Sequence, residues 1–281
     1  MSGTLFVVAT PIGNLEDITL RALRVLREVD IIAAEDTRRT SRLLAHHGIS
    51  TPSISFHEHN TRTRTPQLLG RLAAGESIAL VTDAGTPGVS DPGVELVQAC
   101  IEAGVSVDPV PGVSAPLTAA IASGFPLIPL TIFGFAPSRS KDRTEWLRDI
   151  GATAHTVTFF ESPHRILFTL SDAQLLWGDR PITVGRELTK LHQEFIRGTC
   201  RSVGEQLGSP RGEFTVVVAP RVDATVTTLP VDDSEIAAEF GRTTDTVRLS
   251  RRATVTTVAR KLGKSPREVY AAVERAKKSG E

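Results

Sequence analysis

The chain has 281 residues, 40% of them apolar, and its 32 Lys and Arg are balanced by 32 Asp and Glu. That length accommodates two α/β domains with a sizeable core, at about 100–200 residues per domain, and the neutral balance excludes a disordered chain and a globally polybasic nucleic-acid binder. No apolar run approaches the about 18 residues of a membrane span, and "MSGTLFVVATP" lacks a signal-peptide pattern. The two cysteines, Cys100 and Cys200, form no C-x-x-C, so a cytosolic protein with two inert, buried thiols is expected.

In chain order, "TLFVVATP" predicts a strand that stops at Pro11, and "DITLRALRVLREVD" predicts a helix behind an Asp17 N-cap, with Ile18, Ala22, Val25, Leu26 and Val29 at helical spacing. The alternation repeats. "DIIAAEDT" reads as a strand, "TSRLLAHHGI" as a helix, "SISFHEHN" as a strand, "TRTPQLLGRLAAGE" as a helix closed by glycine, and "SIALVTDAGTP" as the next strand. Such alternation indicates a largely parallel sheet covered on both faces. A strand near Val105 and a helix from about Ser114 to Ser123 follow. The pattern then changes: "LTIFGFAPSRSK", "TVTFFES", "ITVGREL" and "FTVVVAP" are four strands with fewer helices between them, which predicts a second domain with a mixed sheet. "PRVDATVTTLPVDDSE" reads as a polar linker. Two short helices then flank Gly263, the second with Ser265 as N-cap and Pro266 at its first position. From Arg242 onward there are eleven Lys/Arg against four Asp/Glu, so the neutral whole carries a basic tail. The expected division is 1–124, a parallel α/β domain; 125–225, a mixed-sheet α/β domain; and 226–281, a linker with a basic, helix-turn-helix-like domain.

Ligands of open α/β sheets bind beyond the carboxyl ends of the strands. The first-domain strands deliver "TPIGN", "EDTR", "HEHN" and "DAGTP" there, which gathers Glu35, Asp36, His57, His59, Asn60 and Asp83 along one edge. Any single one of these ends can also simply border a polar loop. Only Gly13 stands in "TPIGNLED", so no G-x-G-x-x-G dinucleotide signature is present. "GKS" at 263–265 lacks the upstream glycine of a phosphate loop, "HEHN" is not a zinc-protease word, and no metal is expected. Two bare stretches, "DAGTPGVSDPG" and "VPGVSAP", leave main-chain groups accessible. Neither has a lysine or arginine beside its glycines. An adenosine bearing an amino acid suits them better than a polyphosphate. Within the first, Asp91 to Gly93 read as the start of the following helix, "GVELVQACIEAG".

The ordered words "TPIGNLEDIT", "AAEDTRRT", "LVTDAGTPGVSDPG", "VPGVSA", "FGF", "FFESPHR" and "RELTK" resemble the rRNA-methylating branch of the tetrapyrrole methylase (class III) S-adenosylmethionine-dependent family, over about residues 4–220. The resemblance implies a two-domain tetrapyrrole-methylase-like fold plus a small helical C-terminal domain, a homodimer, and S-adenosyl-L-methionine folded in the cleft between the domains. It implies 2'-O-ribose methylation of a cytidine of 16S rRNA in the decoding centre of the small ribosomal subunit, position 1402 in rRNA numbering. By motif, the cofactor would touch Pro11, Asp83, Gly85, Thr86, Val89, Ser114, Ala115 and Phe160. Gly85, Thr86 and Pro87 stand where the tetrapyrrole enzymes have G-D-P.

The chemistry then needs positioning of the hydroxyl, worth at best about 7–11 kcal/mol, and a general base, worth typically about 10²- to 10⁴-fold. Candidates for the base are Asp36, Glu35 and His57, with Glu161 and Glu187 across the cleft. The alternative for Glu35, Asp36 and Arg38 is a structural ion-pair cluster. Arg38, Arg165, Lys190, Arg260, Lys261 and Lys264 are candidates for RNA phosphate contacts, and Arg38, Arg165, Arg186 and Lys190 can each hold a phosphate or tune a carboxylate. Two other readings stand beside this one: a tetrapyrrole or corrinoid C-methyltransferase, and a non-catalytic RNA-binding factor in ribosome assembly.

Overall fold

Five strands, β1 (Thr4–Val8), β2 (Ile31–Ala34), β3 (Ser53–Ser55), β4 (Ile78–Val81) and β5 (Ser106–Val110), pair in parallel in the order β3-β2-β4-β1-β5. The structure, a computed structural model, describes residues 3–221, 233–246, 251–262 and 265–278. The strands are continuously apolar because both faces are covered. Ile32, Ala34, Ala79 and Val81 pack with α1 (Leu20–Glu28) and α2 (Thr37–His46), whereas Ile31, Ala33, Ile78 and Leu80 pack with α3 (Thr61–Ala73) and α4 (Val94–Glu102).

Two local expectations are corrected. Asp17 does not cap α1: it closes a short 3-10 turn (Leu15–Asp17) that Asn14 caps, and Thr19 caps α1 by accepting from the Ala22 N–H at 3.1 Å. The strand read through "HEHN" ends at Ser55. The Asn60 side chain accepts from the His57 N–H at 2.9 Å and donates to the Ser55 carbonyl at 3.3 Å, which curls the chain into α3.

Beyond α5 (Ala115–Ser123), a second sheet is built from β6 (Leu130–Phe135), β7 (Thr156–Glu161), β8 (Pro181–Arg186), β9 (Glu194–Thr199) and β10 (Phe214–Val218). The order is β6-β7-β10-β8-β9, with β6 and β7 parallel and the other pairs antiparallel. The chain thus joins a parallel and a mixed sheet, as the sequence predicts. Strand β9 is an addition to that reading: its Glu-Phe-Ile-Arg-Gly-Thr run lies on the outer edge, half polar, without the apolar density of a central strand. Helices α6 (Ser140–Ala152), α7 (Ile166–Trp177) and α8 (Cys200–Leu207) cover one face, with Leu147, Phe159, Leu170, Val203 and Val216 in the core. On the other side, Ala119 and Ala120 of α5 pack with Val217, Leu188 and Ile12, the last from the loop after β1. Both cysteines are free and buried, and burial pushes their thiols up to about 11 and about 12.

These elements belong to one compact unit, Met1–Arg221, and the second unit is Val222–Glu281. In the second, α9 (Asp233–Thr246), α10 (Arg251–Leu262) and α11 (Pro266–Lys278) enclose Ile236, Val258, Ala259, Val269 and Ala272. Ser265 and Glu268 form a reciprocal capping box, at 3.2 Å and 2.7 Å, so the predicted cap of the last helix is present. Helix α9 begins inside the stretch read as linker. Its apolar face is only Ile236 and Phe240 at i, i+4, diluted by Gly241 and threonines. Among the described residues, no helix is long and apolar enough to cross a membrane.

Candidate active site

The carboxyl ends of β2 and β4, with the loop after β1, open on a cavity of about 350 Å³ that the second sheet closes from the opposite side. This falls in the range of small-molecule sites, about 300–1,000 Å³. Its first wall is Ile12, Glu35, Asp83 to Thr86, Val89 to Asp91 and the start of α5. Its second is Phe135, Phe160 to Pro163, Leu188 and Gly212 to Thr215.

The walls are fixed by main-chain contacts. Thr10 and Gly85 exchange N–H to carbonyl bonds at 2.8 and 3.0 Å, tying the loop after β4 to the end of β1. The Thr86 hydroxyl donates to the Val113 carbonyl at 3.1 Å, tying the two bare stretches together. That contact supplies a role for threonine at the middle of Gly85-Thr86-Pro87. Among the described residues, three that are not glycine adopt left-handed backbone, Ser90 (φ 65°), Glu187 (φ 50°) and Thr189 (φ 64°). Ser90 lines the cavity and the other two flank Leu188, which also does. Strain of this kind costs about 1–3 kcal/mol per residue and persists only where packing over-determines it.

Of the eight positions assigned to the cofactor, Asp83, Gly85, Thr86, Val89, Ser114, Ala115 and Phe160 line the cavity, and Pro11 does not, although Ile12 beside it does. Of the three base candidates only Glu35 lines it, its Oε2 accepting from the Asp83 N–H at 3.1 Å. Asp36 is turned away. It caps α2, accepting from the Arg38 N–H at 2.9 Å, and pairs with the Arg38 guanidinium at 2.8 Å. The Arg38 side-chain bond, then its main-chain N–H, hold the Asp36 carboxyl far below the usual carboxylate range, which makes it a weak proton acceptor. The ion-pair alternative therefore describes Asp36 and Arg38. His57 lies off the cavity, its Nε2 3.1 Å from Asn60 Nδ2 and its ring edge-on to His59.

The candidates across the cleft are also held. Glu161 is fully buried, accepting from the Ser162 N–H at 2.7 Å and the Thr169 hydroxyl at 2.6 Å while pairing with Arg165 at 2.8 Å. Glu187 accepts from Lys190 Nζ and the Glu213 N–H, both at 2.9 Å. Burial opposes its charge, but those two donors together with the positive charges of Lys190 and Arg186 outweigh burial and lower its pKa. Arg186 donates to the Arg211 carbonyl at 2.9 Å and faces Glu194. Arg260 and Lys261 fall on α10, and Lys264 lies outside the described residues. The sequence reading missed Arg39, Ser162, Glu213 and Thr215 as cavity-lining residues. It also set Asp91 at the start of α4, whereas the N-terminal cap of α4 is Gly93 and Asp91 lines the cavity.

The fold and cavity define a two-sheet α/β protein with a small-molecule cleft at its strand ends. Residues 4–204 match the family described as Tetrapyrrole (Corrin/Porphyrin) Methylases, and the chain belongs to that family. It is 49% identical over 220 residues to "Ribosomal RNA small subunit methyltransferase I" of Synechocystis sp., covering 77% of this chain and 79% of that protein. A protein of the same name from Thermotoga maritima is 48% identical over 222 residues, 77% of this chain and 98% of that one. In structure the chain is similar to a diphthine synthase, with a TM-score of 0.62 at 14% identity over 77% of this chain and 90% of that one. It is also similar to uroporphyrin-III C-methyl transferase of Thermus thermophilus complexed with S-adenosyl homocysteine, with a TM-score of 0.56 at 20% identity over 77% and 97%. These two likenesses speak to the fold.

Proposed function

We propose that the protein transfers the methyl group of S-adenosyl-L-methionine to small-subunit ribosomal RNA in the cytoplasm, at the ribose 2'-hydroxyl of a cytidine of the decoding centre. The observation that carries this reading is the cavity itself. Its walls offer bare main chain at Asp83 to Val89 and Ser114 to Ala115, three aromatic rings, Phe135, Phe160 and Phe214, the first two with centroids 5.0 Å apart, and more acidic side chains than basic ones. Such a site fits a flat nucleoside joined to a cationic amino acid. The sulfonium and ammonium of S-adenosylmethionine suit the acidic lining, whereas a polyphosphate would be repelled by it. The names of the relatives support RNA as the acceptor.

When bound, the cofactor supplies an activated methyl group. The protein's own part is to grip it through the Thr10–Gly85 and Thr86–Val113 ties, exclude water with Ile12, Leu188 and the phenylalanines, and accept the proton of the attacking hydroxyl. RNA phosphates outside the cavity would meet basic residues such as Arg38, which is 87% exposed at its side chain, and those of α10. In vitro reaction of small-subunit RNA with labelled S-adenosylmethionine, followed by mass mapping, is expected to place one ribose methyl group on a cytidine. The chain cut after Arg221 is expected to need a higher RNA concentration for the same rate. Label on the base, or on a tetrapyrrole but not on RNA, would refute the reading.

Homodimerisation is part of the proposal. It is supported by apolar side chains left in water on α5 and after it, Leu117, Ile121 and Ile128, the last 95% exposed. A monomeric mass by sedimentation at micromolar concentration would refute it.

A further inference from the structure

Five carboxylates border the cavity: Glu35, Asp83, Asp91, Glu161 and Glu213. Four are engaged by donors of the protein. Glu161 has its three partners, Glu213 pairs with Lys190 at 3.0 Å, and Glu35 accepts from the Asp83 N–H. Asp83 accepts from the Asp36 N–H at 3.1 Å and faces Arg39 at 3.3 Å. Among the described residues Asp91 forms no ion pair, and the donor beside it is the neutral Thr82 hydroxyl, which favours its charged form only weakly against burial.

The backbone shows why Asp91 sits in the cavity and not at the start of α4. Ser90 before it is left-handed, and Gly93 after it has φ 143°, where a Cβ would come within 2.9 Å of Leu80 on β4. A Cβ on Gly134 of β6 would lie 3.0 Å from the Ser90 hydroxyl. The segment is wedged between the strands of the two sheets, and the strain at Ser90 is held by that packing.

We propose that Asp91 is the general base of the reaction, accepting the proton of the ribose hydroxyl as it attacks. This rests on the methyltransferase reading above. The hydroxyl oxygen forms its bond to the methyl carbon while the carbon–sulfur bond breaks and leaves its electron pair on sulfur. The proton passes to an Asp91 carboxylate oxygen and from there to water, so the positive charge lost at sulfur leaves as a proton. The charged groups sharing the cavity with Asp91 are Glu35 and Asp83 from the ends of β2 and β4, Arg39 from α2, Glu161 from β7 and Glu213 before β10. Burial first, then the negative charges of Glu35 and Asp83, push the Asp91 carboxyl up to about 7. A base so poised is strong enough to accept a proton and still ionised above neutrality.

The test compares wild type with Asp91→Asn in single-turnover methyl transfer to small-subunit RNA between pH 5.5 and 9. Wild type is expected to gain about tenfold per pH unit below about 7 and then level off. Asp91→Asn is expected to be about 10²- to 10⁴-fold slower with that rise absent, while its calorimetric affinity for S-adenosylhomocysteine changes less than about threefold. A readout free of activity accompanies these. A carboxyl raised in the folded state keeps its proton while the unfolded chain loses its own, so its contribution to stability falls as pH rises from about 4 to about 7, and wild type is expected to lose stability relative to Asp91→Asn across that window. A variant within about tenfold of the wild-type rate overturns the proposal, as does a wild-type rate flat across this range, which decides the matter should the variant not fold. Wild type that binds S-adenosylhomocysteine and methylates no RNA overturns the methyltransferase reading itself.

Discussion

Replacing Glu161 by alanine is expected to lower the free energy of unfolding by about 3 kcal/mol, through loss of one partner of a buried, hydrogen-bonded ion pair. The Glu161 side chain is 0% exposed and the Arg165 side chain 27%, so water can reach the arginine left behind. It cannot reach the Thr169 hydroxyl, which is fully buried and donates to Glu161 at 2.6 Å. That hydroxyl and the Ser162 N–H lose their acceptor together, and a cavity opens beside them. The measurement is urea unfolding, where the midpoint of the variant is expected to fall by about 1–2 M if the slope is near 2 kcal/mol per M. Glu161→Gln keeps an acceptor for Thr169 and removes only the charge, and is expected to lose about half as much. A midpoint unchanged for Glu161→Ala would mean that this carboxylate is not the clamp between β7 and α7 that its three bonds describe.

Gly85→Val is expected to weaken S-adenosylmethionine binding about 100-fold, equivalent to about 2.7 kcal/mol. Gly85 has φ 86°, and an added Cβ would stand 3.4 Å from the Ile12 methyl group. Space is thus nearly sufficient, and backbone conformation is what forbids the substitution. A β-branched residue in the left-handed region is a genuine outlier. Relief requires the loop to rotate, which breaks the paired bonds with Thr10 and shifts Ala84 and Thr86 on the cavity wall. Titration calorimetry with the cofactor reads the loss directly. Gly70→Ala in α3, where an added Cβ meets nothing within 4 Å, is expected to leave binding unchanged. Equal binding by Gly85→Val and wild type would remove this loop from the cofactor site.

Much of the first sheet is legible in the sequence because its strands are short apolar runs, each ended by a polar or glycine-bearing word. The rule that ligands gather at strand ends then leads to Glu35 and Asp83 without any family knowledge. It leads equally to Asp36 and His57, and local hydrogen bonding separates the two pairs. Asp36 is followed two residues on by an arginine and starts a helix, so its carboxylate is spent on capping. His57 is drawn into a turn by Asn60. The Asp36–Arg38 pair is the ion-pair alternative that the sequence already offers, whereas the turn at Asn60 is not legible in "SISFHEHN".

The second wall is less legible in the sequence. Phe214 reaches the cavity because β10 inserts between β7 and β8, opposite Glu161 on one side and Arg186 on the other. That pairing joins residues far apart in sequence, and nothing in "EFTVVVAP" announces which strands it will meet. Asp91 was hidden for a different reason. The word "SDPG" before an apolar run looks like a helix start, and the left-handed turn at Ser90 that sends the carboxylate elsewhere is a property of packing and not of local preference.

The placement of α5 bears on how separable the two halves are. In the chain, the break between the sheets falls between the end of α5 and β6. In space, Ala119 and Ala120 are completely buried in one cluster with Val217 of the second sheet and Ile12 from the loop after β1. A polypeptide divided after Gly124 would leave an apolar helix without its cover on one fragment and a bare sheet face on the other. The halves are therefore not interchangeable modules, and exchanging one for that of a relative would require carrying α5 along with the mixed sheet on which it rests.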